Sequence, residues 1–202
     1  MNNQTNNQPI KFVNPKNDVA FKKIFGSEEK SEVLIGFLNA VMDLQGDDAI
    51  QRISIHNPYQ SLKLQIEKQT ILDIIATDNR GFKFIVEMQV ANVESVLKRF
   101  SFYVAREFAG QIETGEEYRK LVPVVFIGVL DFKLFIPPKE KNGVKLKPEE
   151  LQSIEEAIAA KRKHAYLSCH QVLDTETHKQ WIQDFTFYYI ELPKFQKKEN
   201  EL

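Results

Sequence analysis

The chain has 202 residues, 43% of them hydrophobic, which is enough to bury one good core. Its formal net charge of -1 excludes an overall electrostatic pull towards phosphate, so any affinity for nucleic acid has to come from a local basic face. A single cysteine, Cys169, excludes an intrachain disulfide framework and suits a reducing cytosol, where it is expected to act as a small buried hydrophobe.

The opening M-N-N-Q-T-N-N-Q has no basic region followed by an apolar core, and no apolar run reaches membrane-spanning length. The reading is therefore a soluble, cytoplasmic protein with no membrane partner. Residues 1–9 are expected to be a disordered polar tail, because so few apolar groups cannot offset the entropy of ordering, and residues 10–202 a single α/β domain. A short helix is predicted from Asn17 or Asp18 through Phe25, burying Phe21, Ile24 and Phe25 and stopping at Gly26. A second, over 31–44, sets Val33, Leu34, Phe37, Leu38 and Val41 on one side at helical spacing. Residues 61–67 alternate strictly between polar and apolar and read as a half-exposed strand.

Runs rich in β-branched and aromatic residues at 71–77 and 82–90 flank Asp78-Asn79-Arg80-Gly81, which suits a tight reversal and predicts a β-hairpin. A long helix over 93–114 follows, with Val93, Leu97, Phe100, Val104, Phe108 and Ile112 as its apolar stripe and Gly115 as its terminator. Residues 121–130 are apolar throughout, as expected of a strand covered on both faces, and 185–192 are aromatic and β-branched like another strand. Between them, 137–163 is a polar insertion with a helix from Pro148. No repeat is present.

The hairpin carries the chemistry. Along its second strand Phe82, Phe84, Val86, Met88 and Val90 share one face, and Lys83, Ile85, Glu87 and Gln89 the other. A loop of about three to five residues brings Asp73 of the first strand opposite a position near Ile85 to Glu87, on the same side as Glu87. Two like charges at ~5 Å repel by about 3 kcal/mol at an effective dielectric near 20. That is large against a native stability of about 5 to 15 kcal/mol. Either one carboxyl keeps its proton or a cation lies between them, and hard divalent ions such as Mg²⁺ take oxygen ligands of this kind. The bland alternative is that each carboxylate sits in water or in an ion pair. No Walker-type glycine loop, CxxC pair or G-x-S-x-G competes for the active site, and His164 and His170, with Cys169 between them, have poor spacing for zinc.

The Asp73, Glu87, Gln89 series resembles the D-(x)n-E-x-K pattern of restriction-endonuclease-like nucleases, with Gln89 where the lysine would stand. Around it lie N-D-V-A-F-K-K-I-F-G at 17–26, F-L-N-A-V at 37–41, N-P-Y-Q at 57–60, Arg99 followed by Tyr103, T-G-E-E-Y at 114–118 and I-E-L-P-K-F at 190–195. The ordered set resembles the recombination-promoting nucleases, the PD-(D/E)XK nuclease family transposases. The resemblance implies a central mixed β-sheet flanked by helices and a metal-dependent DNA endonuclease that promotes recombination or mobile-element movement. Longer relatives continue beyond the point where this chain ends.

By the same resemblance Asp73, Glu87 and the Met88 carbonyl hold Mg²⁺, or another hard ion such as Mn²⁺ or Ca²⁺, and Gln89 orients the attacking water. Asp18 is either a third metal contact or a helix cap, and Arg99 and Tyr103, one turn apart, reach towards the scissile phosphate. Lys22 and Lys23 are read as a solvated edge, with DNA as a partner for Lys22, and Lys161, Arg162 and Lys163 as a weaker basic patch. The DNA is expected to be double-stranded, bound with little sequence preference, and a homodimer is left open. Two other readings remain: a catalytically silent DNA-binding or interaction module with the same fold, and a nuclease acting chiefly on RNA.

Overall fold

A computed structural model describes residues 14–56, 73–137, 140–141 and 144–195. The predicted polar tail, the N-P-Y-Q segment and the predicted strand over 61–67 lie outside these residues.

Two helices open the fold. Helix α1 (Asp18–Phe25) starts on Asn17, whose side chain accepts from the backbone N–H groups of Val19 and Ala20, so the cap is Asn17 rather than Asp18. It buries Phe21 but leaves Ile24 exposed, because Ile24 falls off the short helix's inward side. Helix α2 (Ser31–Met42) buries Leu34, Leu38 and Val41, while Val33 turns to solvent.

Strand β1 (Ile53–His56), not anticipated from the sequence, pairs antiparallel with β2 (Ile74–Asp78), which forms the expected hairpin with β3 (Lys83–Gln89). The hairpin turn is held by the buried Asp78 carboxylate, which accepts from the N–H groups of Arg80 at 2.9 Å and Phe82 at 3.0 Å, and by Gly81 at φ +90°. Helix α3 (Val96–Ala109) then crosses to β4 (Val124–Leu130), which lies parallel to β3. It ends at Gly110 rather than Gly115, and its buried stripe is Val96, Phe100, Tyr103 and Val104, leaving Val93 and Leu97 exposed.

The polar insertion contains a two-strand ladder, β5 (Glu140–Lys141) with β6 (Val144–Lys145), and helix α4 (Pro148–Ala160). Strand β7 (Leu167–Val172), also unanticipated, pairs antiparallel with β8 (Ile182–Glu191), which runs parallel to β4. Cys169 lies on β7 and is exposed, against expectation, because β7 is the outer strand.

The sheet order is β1-β2-β3-β4-β8-β7, a mixed six-stranded sheet with helices on both faces. One face packs Ile74, Ala76, Phe84, Val86, Val125, Ile127 and Val129 under Phe21 of α1 and Leu34, Leu38 and Val41 of α2. The other packs Ile85, Phe126 and Leu130 against Val96, Phe100, Tyr103 and Val104 of α3, with the Phe100 and Phe126 rings 4.6 Å apart. Covered twice, β4 is buried along its whole length, as its unbroken apolar run predicts. Behind it, the fully buried Glu191 carboxylate accepts from the N–H groups of Leu134 at 2.6 Å and Phe135 at 3.1 Å and binds Lys194 at 2.6 Å, with Arg162 at 3.7 Å.

Candidate metal centre

The ladder pairing Ile74 with Val86 extends one step to set Asp73 opposite Glu87, the even-sum register read from the sequence. Two hydrogen bonds lock that step. The Met88 N–H donates to Asp73 Oδ2 at 2.8 Å, and the Asp73 N–H donates to Glu87 Oε1 at 3.2 Å. Both carboxylates are nearly out of solvent, with the Asp73 side chain 9% exposed and Glu87 7%. Opposite Glu87 on β4 stands Gly128, where an added Cβ would come within 3.2 Å of the Phe126 and Tyr189 rings. A side chain there would require those rings to give by a few tenths of an ångström.

Burial and proximity shape the protonation of the pair. The Glu87 carboxyl is pushed up to about 8, first by burial and then by the Asp73 charge, against the opposing pull of the Asp73 N–H, Arg99 and Lys22. Burial also raises Asp73, although the Met88 N–H and Lys22 favour its ionised form. Without a metal, the two answers expected for opposed carboxylates are therefore both in use: Glu87 holds its proton, and Asp73 holds a cation.

That cation is the Lys22 ammonium. From α1 its Nζ lies 3.1 Å from Asp73 Oδ1 and 3.2 Å from Asp18 Oδ1. Burial works to lower the Lys22 pKa, but the bonds to Asp73 and Asp18 outweigh it and the net shift is upward. Asp18 thus joins the site beside Lys22. The Asp18 carboxyl also acts on Asp73 directly, raising its pKa, although among the described residues no group of three or more His, Cys, Asp or Glu side chains is arranged to hold a metal.

On the α3 side, both ends of the Gln89 amide are engaged. Its Nε2 donates to the Ala91 carbonyl at 2.8 Å, and its Oε1 accepts from Arg99 Nη2. The Arg99 Nε–H is buried without a hydrogen-bond partner among the described residues. Tyr103, one turn further on, is buried beneath the same cluster; burial raises its pKa, as do the charges of Glu87 and Asp73, while Arg99 lowers it.

The remaining candidates lie elsewhere. Lys23 is exposed on α1, Arg162 reaches Glu191 and Lys163 binds Asp43, so the basic patch at 161–163 is partly spent on structural pairs. His164 stacks on Tyr166, and His170 stacks on Phe135 with its Nε2 3.0 Å from Ser168 Oγ.

The donor set fits a hard divalent ion: two opposed carboxylates supply oxygen ligands, and an ammonium already stands against one of them as a monovalent cation would. The Met88 carbonyl lies on the same side. In an extended strand a residue's N–H and C=O face the same neighbour, and the Met88 N–H faces Asp73.

No curated protein and no solved structure matches the chain. A family model does, that of the PD-(D/E)XK nuclease family transposases, over residues 15–156. This span holds both helices of the first layer, the hairpin with Asp73 and Glu87, and α3 with Arg99, on the α/β sheet that the resemblance implied. The chain belongs to the PD-(D/E)XK nuclease family transposases.

Proposed function

We propose that the protein is a metal-dependent DNA endonuclease that hydrolyses phosphodiester bonds and promotes recombination or mobile-element movement. The observation that carries this reading is the register that forces Asp73 against Glu87 in a buried position, where the pair is satisfied only by protons or cations. Asp73, Glu87 and the Met88 carbonyl would hold Mg²⁺, with Mn²⁺ or Ca²⁺ as substitutes. A bound ion of this kind lowers the pKa of a water and screens the charge gathering on phosphate.

The chain's own residues do the rest. The Arg99 guanidinium, with a buried N–H still to be satisfied, suits a phosphate oxygen, where a charge-assisted bond is strongest. Gln89 holds that guanidinium in place rather than orienting water itself. The Tyr103 phenol keeps its proton and serves as a neutral donor beside Arg99.

The test is nicking of supercoiled plasmid with and without Mg²⁺, Mn²⁺ or Ca²⁺, with a structured RNA assayed in parallel. Mg²⁺ should permit cutting of DNA, and Asp73→Asn and Glu87→Gln should each abolish it while leaving the fold intact. Cutting by either variant at the parent rate under saturating Mg²⁺ would sink the metal site. Cleavage of the RNA alone would move the substrate and keep the chemistry.

A further inference from the structure

Position 89 brings no positive charge to the site, because the Gln89 amide is neutral and both its ends are engaged, on Ala91 and Arg99. The cation that does stand against Asp73 is Lys22. Its side chain is 33% exposed, and its Nζ sits between Asp73 Oδ1 at 3.1 Å and Asp18 Oδ1 at 3.2 Å. Asp18 lies one turn earlier on α1, so the pair is preset at i,i+4, and the Asn17 cap fixes the start of that turn.

Resting on the nuclease reading above, we infer that Lys22 is a catalytic lysine of this site, delivered from α1 to place an ammonium beside the attacking water at Asp73. In the reaction the water oxygen bonds to phosphorus and the bond from phosphorus to the leaving sugar oxygen breaks. The water gives up a proton to bulk solvent, and the leaving oxygen gains one from bulk solvent. Nothing is oxidised or reduced. Lys22 remains an ammonium throughout, donating a hydrogen bond to the incoming oxygen and offsetting charge that grows only in the transition state. Asp18 is its positioning residue. Because like charges repel, the same ammonium weakens the hold of Asp73 and Glu87 on a divalent ion.

Lys22→Met and Lys22→Arg separate these roles, measured in the full chain by calorimetric Mn²⁺ titration, by DNA binding in Ca²⁺ and by single-turnover cleavage in Mg²⁺. Lys22→Met should lower the cleavage rate by about 100-fold or more while DNA affinity stays within about twofold, and it should bind Mn²⁺ several-fold more tightly. Lys22→Arg, which keeps the charge, should recover part of the rate. A fall in DNA affinity matching the fall in rate would make Lys22 a backbone contact and overturn the assignment. So would Mn²⁺ binding that is unchanged or weaker in Lys22→Met. Should the parent cut neither DNA nor RNA, the nuclease reading fails, and the Mn²⁺ titration still decides whether Lys22 is the cation on Asp73.

Discussion

Glu87 sits on a strand otherwise built from apolar side chains, and its protonation has a consequence for stability. In the folded, metal-free chain its carboxyl keeps the proton up to about 8, whereas the ordinary value is 4.5. Between those values the unfolded state binds fewer protons than the folded one, so stability falls as pH rises across that window. The slope from this one group is at most about 1.4 kcal/mol per pH unit. Glu87→Gln removes the titration, so its urea-unfolding stability should overtake the parent's as pH rises from about 5 to 8, and Mg²⁺ should flatten the parent's curve. Parallel curves for parent and variant would mean that Glu87 is ionised when folded. Asp73→Asn is expected to behave differently, because it also strips Lys22 of one of its two acidic partners. The carboxylate pair was legible in the sequence because period-two alternation and a turn of known length fix which side chains oppose each other. The Lys22 contact was not, since Lys22 and Asp73 are 51 residues apart (73 − 22) and no local periodicity reports on such a pair.

Strand β3 offers an internal control between neighbours. Gln89 faces α3 and holds Arg99, while Met88 turns its side chain to the core beneath α1 and α2. Gln89→Ala frees the guanidinium and should lower the cleavage rate far more than DNA affinity, whereas Met88→Leu should cost under about 1.5 kcal/mol of stability and little activity. Equal losses at the two positions would show that the strand sits in another register. Elements with a strong period were readable: α1, α2, the hairpin and β4 fall within a few residues of expectation. Those that escaped have physical reasons. Strand β1 is only four residues long, and β7 is an outer strand whose alternation through Leu167, Ser168, Cys169 and His170 breaks off at Gln171. In α3 the expected stripe shares Phe100 and Val104 with the buried one but not Val93 and Leu97, and Tyr103, expected at the phosphate, also packs in the core.

At the scale of the molecule, the sheet is closed from behind by parts of the chain that follow the matched family span. The match ends at residue 156, inside α4, yet β8 pairs with β4 from Val124 to Leu130, and Glu191 at its end ties Leu134, Phe135, Arg162 and Lys194 together. Breaking a buried ionic knot by removing one partner typically costs about 3 to 5 kcal/mol, so Glu191→Ala should lower the unfolding free energy on that order without touching the metal centre. A variant that unfolds like the parent in urea would show the knot to be dispensable. The position of β4 also sets the smallest piece that can stand alone. A protein stopped at residue 156 would keep every residue assigned to the reaction but expose the hydrogen-bonding edge of its most apolar strand, the kind of template on which chains stack into aggregates. Such a fragment should sediment as large assemblies, so the reactive half and the folding unit of this protein are different lengths of chain.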